Sequence, residues 1–151
     1  MSIKINLQGF EELYDRLNRA GKNADAEVDK CIHACTDVMQ AEMKAQMQSA
    51  QVDPALISRM PPPTVEKSGN RYTGRVGYKK GTYNPAAPSD GYKIVFLNYG
   101  TPRGRKTKSG ADRGEIKARG FIKRTKSRAK AKIKKLQEET KNEILKGLPK
   151  E

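Results

Sequence analysis

The chain has no tryptophan, one histidine and two cysteines in 151 residues, and each scarcity closes off a kind of chemistry. With no Trp, and with all of its Tyr outside the most basic stretch, it lacks the interleaved aromatic and basic residues of a single-strand stacking platform. The only histidine, His33, lies between Cys31 and Cys35 in "DKCIHACTDVMQAEMKAQM". On a helix the two cysteines share a face and His33 points away, so the three do not converge on a metal, and two thiolates fall short of a four-ligand zinc site. The same spacing is poor for a disulfide. Both cysteines read instead as small apolar members of the stripe Val28, Cys31, Ile32, Cys35, Val38, Met39, Met43 and Met47. No serine elbow, HExxH or phosphate-loop pattern occurs, and "GNRYTGRVG" lacks the strand-to-helix setting of a nucleotide loop. Glu11, Glu12, Glu138 and Glu139 read as solvated helix charges. An enzyme, a cofactor and a metal are therefore not expected.

Strongly apolar residues are also few. Leu, Ile, Val and Phe make up 26 of the 151, which together with a net charge of +14 falls below the ~20% level where order becomes hard to sustain. A chain of this length usually makes one domain burying about 68–70% of its unfolded surface; the expectation here is one domain over 1–151, with a small core and segments that order only in an assembly. No apolar run approaches the roughly 18 residues of a membrane span, and Met1 to Ala20 lacks the apolar stretch of a signal peptide. A soluble protein made in the cytoplasm, with no membrane partner, is expected.

What the chain has in excess is positive charge in one place. Residues 103 to 135 hold fifteen Lys and Arg against Asp112 and Glu115, whereas residues 1 to 60 carry seven bases and nine acids. A near-neutral body thus carries a cationic arm, which concentrates potential for a polyanion or an acidic protein surface and resists compact packing of the arm alone.

Patterning gives the layout. "INLQGFEELYDRLNRAGKN" sets Phe10, Leu13, Tyr14 and Leu17 on one helical face with Gly21 as a stop, and Asn23 can cap a second helix from about Ala24 to Ala50, with Asp25, Glu27 and Asp29 near its positive end. "MPPPTVEKSGN" breaks the helix and reads as a linker or loop. In "RYTGRVGYKKGTYN", Tyr72, Gly74, Val76 and Tyr78 alternate with Thr73, Arg75 and Gly77, as in a strand with one protected face. "KKGTYNPAAPSD" reads as a mobile connection. "GYKIVFLNYGT", apolar from Ile94 to Leu97, reads as the central strand of a small sheet. Gly100 could supply the left-handed turn that ends that strand, and Tyr99 could anchor a subunit contact. A long basic loop follows at about 100–120. Helical period then returns over about 121–147 through Phe121, Ile122, Ala129, Ile133, Leu136, Thr140 and Ile144, with Phe121 a core plug at its start and Gly147 and Pro149 closing it. The fold class is α+β: two N-terminal helices, a small antiparallel sheet with long loops, and a C-terminal helix.

The order of these phrases resembles the head-to-tail joining proteins of long-tailed bacteriophages, variously called neck, tail-completion or minor tail proteins. Leu7, Gly9, Glu12 and Leu13 match the family's opening phrase, and Thr73 and Gly74 its turn before a strand. Tyr99, Gly100 and Thr101 match its aromatic-Gly-Thr phrase, while Ala118, Arg119, Phe121 and Ile122 match the phrase before the last helix. Asn98 stands where the family usually has an acid, Gly120 where it has proline, and the insertion between the last two phrases is longer and more basic. The resemblance implies a structural virion protein at the neck or tail terminus, made in the host cytoplasm, that closes into a homo-oligomeric ring. Its neighbours would be connector or head-completion proteins and tail tube or terminator proteins.

In such a ring the arm would line a path for packaged double-stranded DNA, or dock on acidic neighbouring subunits. Contacts would go to phosphates without base reading. The residues expected to carry them are Arg103, Arg105, Lys106, Lys108, Arg113, Lys117 and Arg119 in the loop, then Lys123, Arg124, Lys126 and Arg128 on the helix. Tyr99, Gly100, Thr101 and Phe121 are the expected assembly or fold positions. From the basic arm alone, the competing function is a sequence-independent nucleic-acid-binding protein associated with ribosomes or chromosomes.

Overall fold

The computed structural model describes residues 2–6, 12, 15, 18, 25–69, 71–79, 81 and 88–146. They form an α+β fold in the order β1 (Ser2–Asn6), α1 (Asp25–Ser49), α2 (Pro54–Ser58), β2 (Thr64–Ser68), β3 (Arg71–Gly77), α3 (Asp90–Tyr99) and α4 (Phe121–Lys146). The sheet is antiparallel with β3 in the middle, in the order β1-β3-β2. Ser68 pairs with Arg71, so β2 and β3 join through a two-residue turn with Gly69 at φ +58°. The alternation in β3 has the expected sense: Tyr72, Gly74, Val76 and Tyr78 are buried.

Three expectations are corrected. "GYKIVFLNY" is helix α3 and not a central strand. It is apolar on both faces, and such a run does not reveal its period; the centre of the sheet is instead β3, whose partner on one side is β1, read from Ile5 onward as the lead-in to a helix. The linker after the prolines contains β2, an edge strand with Val65 as its one half-buried apolar residue. Of the first N-terminal helix, Glu12, Asp15 and Asn18 are helical and exposed. Phe10, Leu13, Tyr14, Leu17, Gly21 and Asn23, and likewise most of the connection at 80–87 and the closing Gly147 and Pro149, lie outside the described residues.

Helix α1 buries Val28, Cys31, Ile32, Cys35, Met39, Met43 and Met47 along one stripe, with Asp25 and Glu27 at its positive end. One side of that stripe meets the sheet, where β3 comes so close that a Cβ on Gly74 would strike the methyl of Thr36. Only glycine permits that approach. Tyr72 donates to the Asp25 carboxylate at 3.0 Å and Lys67 reaches it at 2.6 Å, fixing the hairpin to the start of α1.

The other side meets α4, whose buried residues Phe121, Ile122, Thr125, Ala129, Ile133 and Ile144 follow the expected period. Contacts set the direction. Lys132 faces Glu42 at 3.5 Å, Thr140 reaches Cys31, and Arg119, just before α4, reaches the carbonyls of Ala50 and Gln51. The two long helices are therefore antiparallel, and α4 begins where α1 ends. Cys31 and Cys35 are buried free thiols, and the hydrogen bond to Cys31 together with burial pushes the Cys35 thiol up.

Short helix α2 starts with Asp53, whose carboxylate accepts from the Ala55 amide at 2.8 Å, and with Pro54 in the first turn. Arg59 then grips Asp90 through two hydrogen bonds of 2.9 and 3.1 Å, joining α2 to the first turn of α3 and holding the Asp90 carboxyl below its usual range. Tyr78 closes the same corner by donating to the Leu56 carbonyl at 2.5 Å.

Candidate polyanion interface

The basic loop between α3 and α4 has a built base. Gly100, at φ +77° and ψ −176°, ends α3, and its amide donates to the Phe96 carbonyl at 2.7 Å. That backbone region is essentially closed to residues with a Cβ, and a Cβ there would also lie 2.6 Å from the Ile116 carbonyl oxygen. The left-handed glycine expected at this position is present, but it terminates a helix. Thr101 then holds the returning chain from both groups: its amide donates to the Ile116 carbonyl at 2.8 Å, and its hydroxyl accepts from the Ile116 amide at 2.9 Å. Two more bonds close the neck, from Arg119 N–H to the Leu97 carbonyl and from Gly120 N–H to the Asn98 carbonyl, both at 3.0 Å.

Asn98 is the residue that sequence reasoning missed. It is buried, and its side-chain oxygen accepts the Ile122 amide at 2.9 Å, in the first turn of α4. A helix start leaves its first N–H groups without intrahelical partners, and here the acceptor comes from 24 residues away. Asparagine is a preferred capping type, but nothing local to Phe121 points to a cap supplied by α3. Phe121 itself is fully buried, as expected of a plug at the helix start.

Beyond the neck the arm forms a small ribbon. Lys106 and Asp112 pair as an antiparallel bridge, Thr107 N–H donates to the Ala111 carbonyl at 2.8 Å, and Arg113 N–H to the Arg105 carbonyl at 2.7 Å. Its two acids are used internally. Glu115 accepts from the Arg103 guanidinium at 2.5 Å and Asp112 accepts from the Gly114 amide at 2.9 Å. Arg105 lies over the Phe96 ring at 6.0 Å, which ties the ribbon to α3.

These contacts divide the basic residues into two sets. Five of the fifteen in 103–135 have a carboxylate or carbonyl partner: Arg103 with Glu115, Lys132 with Glu42, Lys134 with Glu138, Lys135 with Glu139, and Arg119 with the carbonyls at the end of α1. Arg119 there does what a cation does well at a helix C-terminus. The other ten are Arg105, Lys106, Lys108, Arg113 and Lys117 on the arm and Lys123, Arg124, Lys126, Arg128 and Lys130 on α4. None has a carboxylate partner among the described residues; all but the half-buried Arg105 are exposed. Sequence reasoning named nine of these ten and missed Lys130; it also named Arg103 and Arg119, whose side chains are already held.

On α4, Lys123, Lys126 and Lys130 run along one border of the buried stripe's opposite face, and Arg124 and Arg128 along the other. Because α1 and α4 are antiparallel, the acids of α1's first turns share an end of the helix pair with Glu138, Glu139 and Glu143, and Lys123, Arg124, Lys126, Arg128 and Lys130 lie toward the opposite end, where the base of the arm is also held. Among the described residues no helix is long and apolar enough to cross a membrane. No family model matches the chain, and no curated protein or solved structure matches it either.

Proposed function

We propose that this chain is a structural virion protein of a tailed bacteriophage, forming a ring at the neck or tail terminus that joins head to tail. The arm and the first half of α4 face the DNA channel. The observation that carries the reading is the set of ten cations without carboxylate partners on the arm and the first half of α4, beside a body in which Asp25, Glu27, Glu42, Glu66 and Asp90 already face cations. Copies of a chain with net charge +14 do not neutralise one another, so most of the counter-charge comes from outside the homo-oligomer. A polyanion that must pass in any sequence suits Lys and Arg contacts to phosphate, and a ring repeats the cations around its axis.

The ordered phrases shared with the head-to-tail joining proteins support the same reading, and one of their departures becomes intelligible. Asn98, where the family usually has an acid, is the side chain whose oxygen accepts an amide at the start of α4. A carboxylate fills that role equally, with added favour from the helix dipole.

The test is made on particles. Phage assembled without this chain should show unjoined heads and tails or defective tails in electron micrographs, and restored joining when it is added back. Normal infectious particles without it would reject the proposal. A monomeric subunit that binds RNA and duplex DNA alike, with no ring in solution or in particles, would favour the ribosome- or chromosome-associated reading instead.

A further inference from the structure

Helix α3 is more apolar than either long helix, and it is apolar on both faces. Gly91, Ile94 and Asn98 face the interior, while Tyr92, Val95 and Phe96 are half-buried and Tyr99 is 59% exposed. Apart from Asp90 and the exposed Lys93 its outer face is apolar, and an apolar helix face is normally covered. Tyr99 and Ile116 are two of the three large apolar side chains that the described surface exposes, and their backbones run close together: the Ile116 carbonyl and the Ala118 amide lie against Gly100, directly after Tyr99. Aromatic residues with arginine at the edge are the composition of an interface core.

From this, and resting on the ring proposed above, we infer that the outer face of α3 is the contact through which one copy of the chain binds the next, seated on the outward ridge of the neighbour's α1. Charge selects the occupant. Arg105 and Lys117 border the patch, so pairing it with the same patch of another copy would set like charges together, which disfavours a two-fold dimer. A different, non-basic surface is required, and a surface meeting an unlike surface is what closes a ring. The ridge of Asp29, His33, Asp37, Ala41 and Ala45 fits: spaced by four, these residues form one line on α1, all are exposed, and Asp37 has no ion-pair partner among the described residues. Its alanines leave a shallow strip for the Tyr99 ring, and Asp37 meets the bordering cations, Arg105 staying over Phe96.

Light scattering on the full chain and on two variants at exposed positions, Tyr99→Asp and Ala41→Arg, tests the assignment, with circular dichroism confirming that both fold. Ile116→Asp, outside any helix, repeats the first lesion by another route. The wild type should be a multimer, and each variant alone a monomer. An equimolar mixture of Tyr99→Asp and Ala41→Arg should give a one-to-one dimer and nothing larger, because only one intact patch and one intact ridge can meet. A multimer of unchanged mass in Tyr99→Asp and Ile116→Asp would overturn the inference and leave the ring standing. A mixture that stays monomeric would overturn the choice of ridge. A wild type that is monomeric in solution and forms no ring in particles would take the ring reading down as well, and an unchanged mass with weakened binding of a labelled single strand would give the patch to nucleic acid.

Discussion

Removing three cations from α4 has different consequences depending on which three. Lys123, Lys126 and Lys130 have no carboxylate partner among the described residues, whereas Lys132, Lys134 and Lys135 face Glu42, Glu138 and Glu139 at 3.5 to 3.7 Å. Replacing either set by Gln lowers the net charge by the same three units, so a response to overall charge treats them alike. Counterion release does not, because each phosphate neutralised on B-form DNA contributes about 0.9 to the log-log salt slope. Loss of the unpaired set should flatten the slope by about 2.7, so that the parent loses roughly sixfold more affinity than the variant for each doubling of salt. Loss of the paired set should flatten it less, by a modest margin because exposed pairs such as these hold their cations only weakly. Anisotropy of a labelled duplex across a salt series measures both. Equal flattening would show that binding follows net charge and not the division between paired and unpaired cations, and the argument for a located interface would fail.

Three other outcomes follow from the neck and the corner beside it. Gly100→Ala forces a Cβ into a backbone region costing about 1–3 kcal/mol and against the Ile116 carbonyl; at roughly 2–4 °C per kcal/mol for a chain of this size, a thermal midpoint lowered by several degrees is expected, and an unchanged midpoint would contradict the geometry. Asn98→Leu leaves a buried N–H of α4 unpaired, worth about 1–3 kcal/mol, while Asn98→Asp keeps an acceptor there. If denaturant titration finds the two variants equally destabilised, the side chain does not serve as the cap. Burial pushes the Tyr78 hydroxyl up to about 12 from 10.0, so the native state keeps a proton that the unfolded chain releases. Stability should be complete below pH 10 and decline between pH 10 and 12, by about 2–3 kcal/mol at 1.36 per unit, and Tyr78→Phe should flatten that decline.

Helices α1 and α4 and strand β3 were legible because each buries one face, so the period of their apolar residues survives in the sequence. Helix α3 was not, and the cause is physical. Ile94, Val95, Phe96 and Leu97 are consecutive apolar residues of strand-favouring type, and only the packing of Ile94 and Asn98 beneath them and the stop at Gly100 decide for a helix. β1 and β2 each offer two apolar positions or fewer, too little to stand out beside prolines or a helical pattern. The arm's charge could be counted from the sequence. Which of its cations were already held could not, since Arg103 finds Glu115 across the neck of the loop and Arg119 finds carbonyls 68 and 69 residues back in the chain.

The neck also bears on how the cationic end works. Asn98 fixes the first turn of α4 by its side-chain oxygen and the base of the arm by its backbone carbonyl, while Arg119 donates its amide to α3 and its guanidinium to the end of α1. The arm and the first half of α4 therefore leave one hydrogen-bonded junction, which fixes the orientation of the arm's base relative to the start of α4. Fixing that orientation in advance leaves less freedom to lose on binding. In the proposed ring, such a junction would present the charged edge at the same angle in every copy.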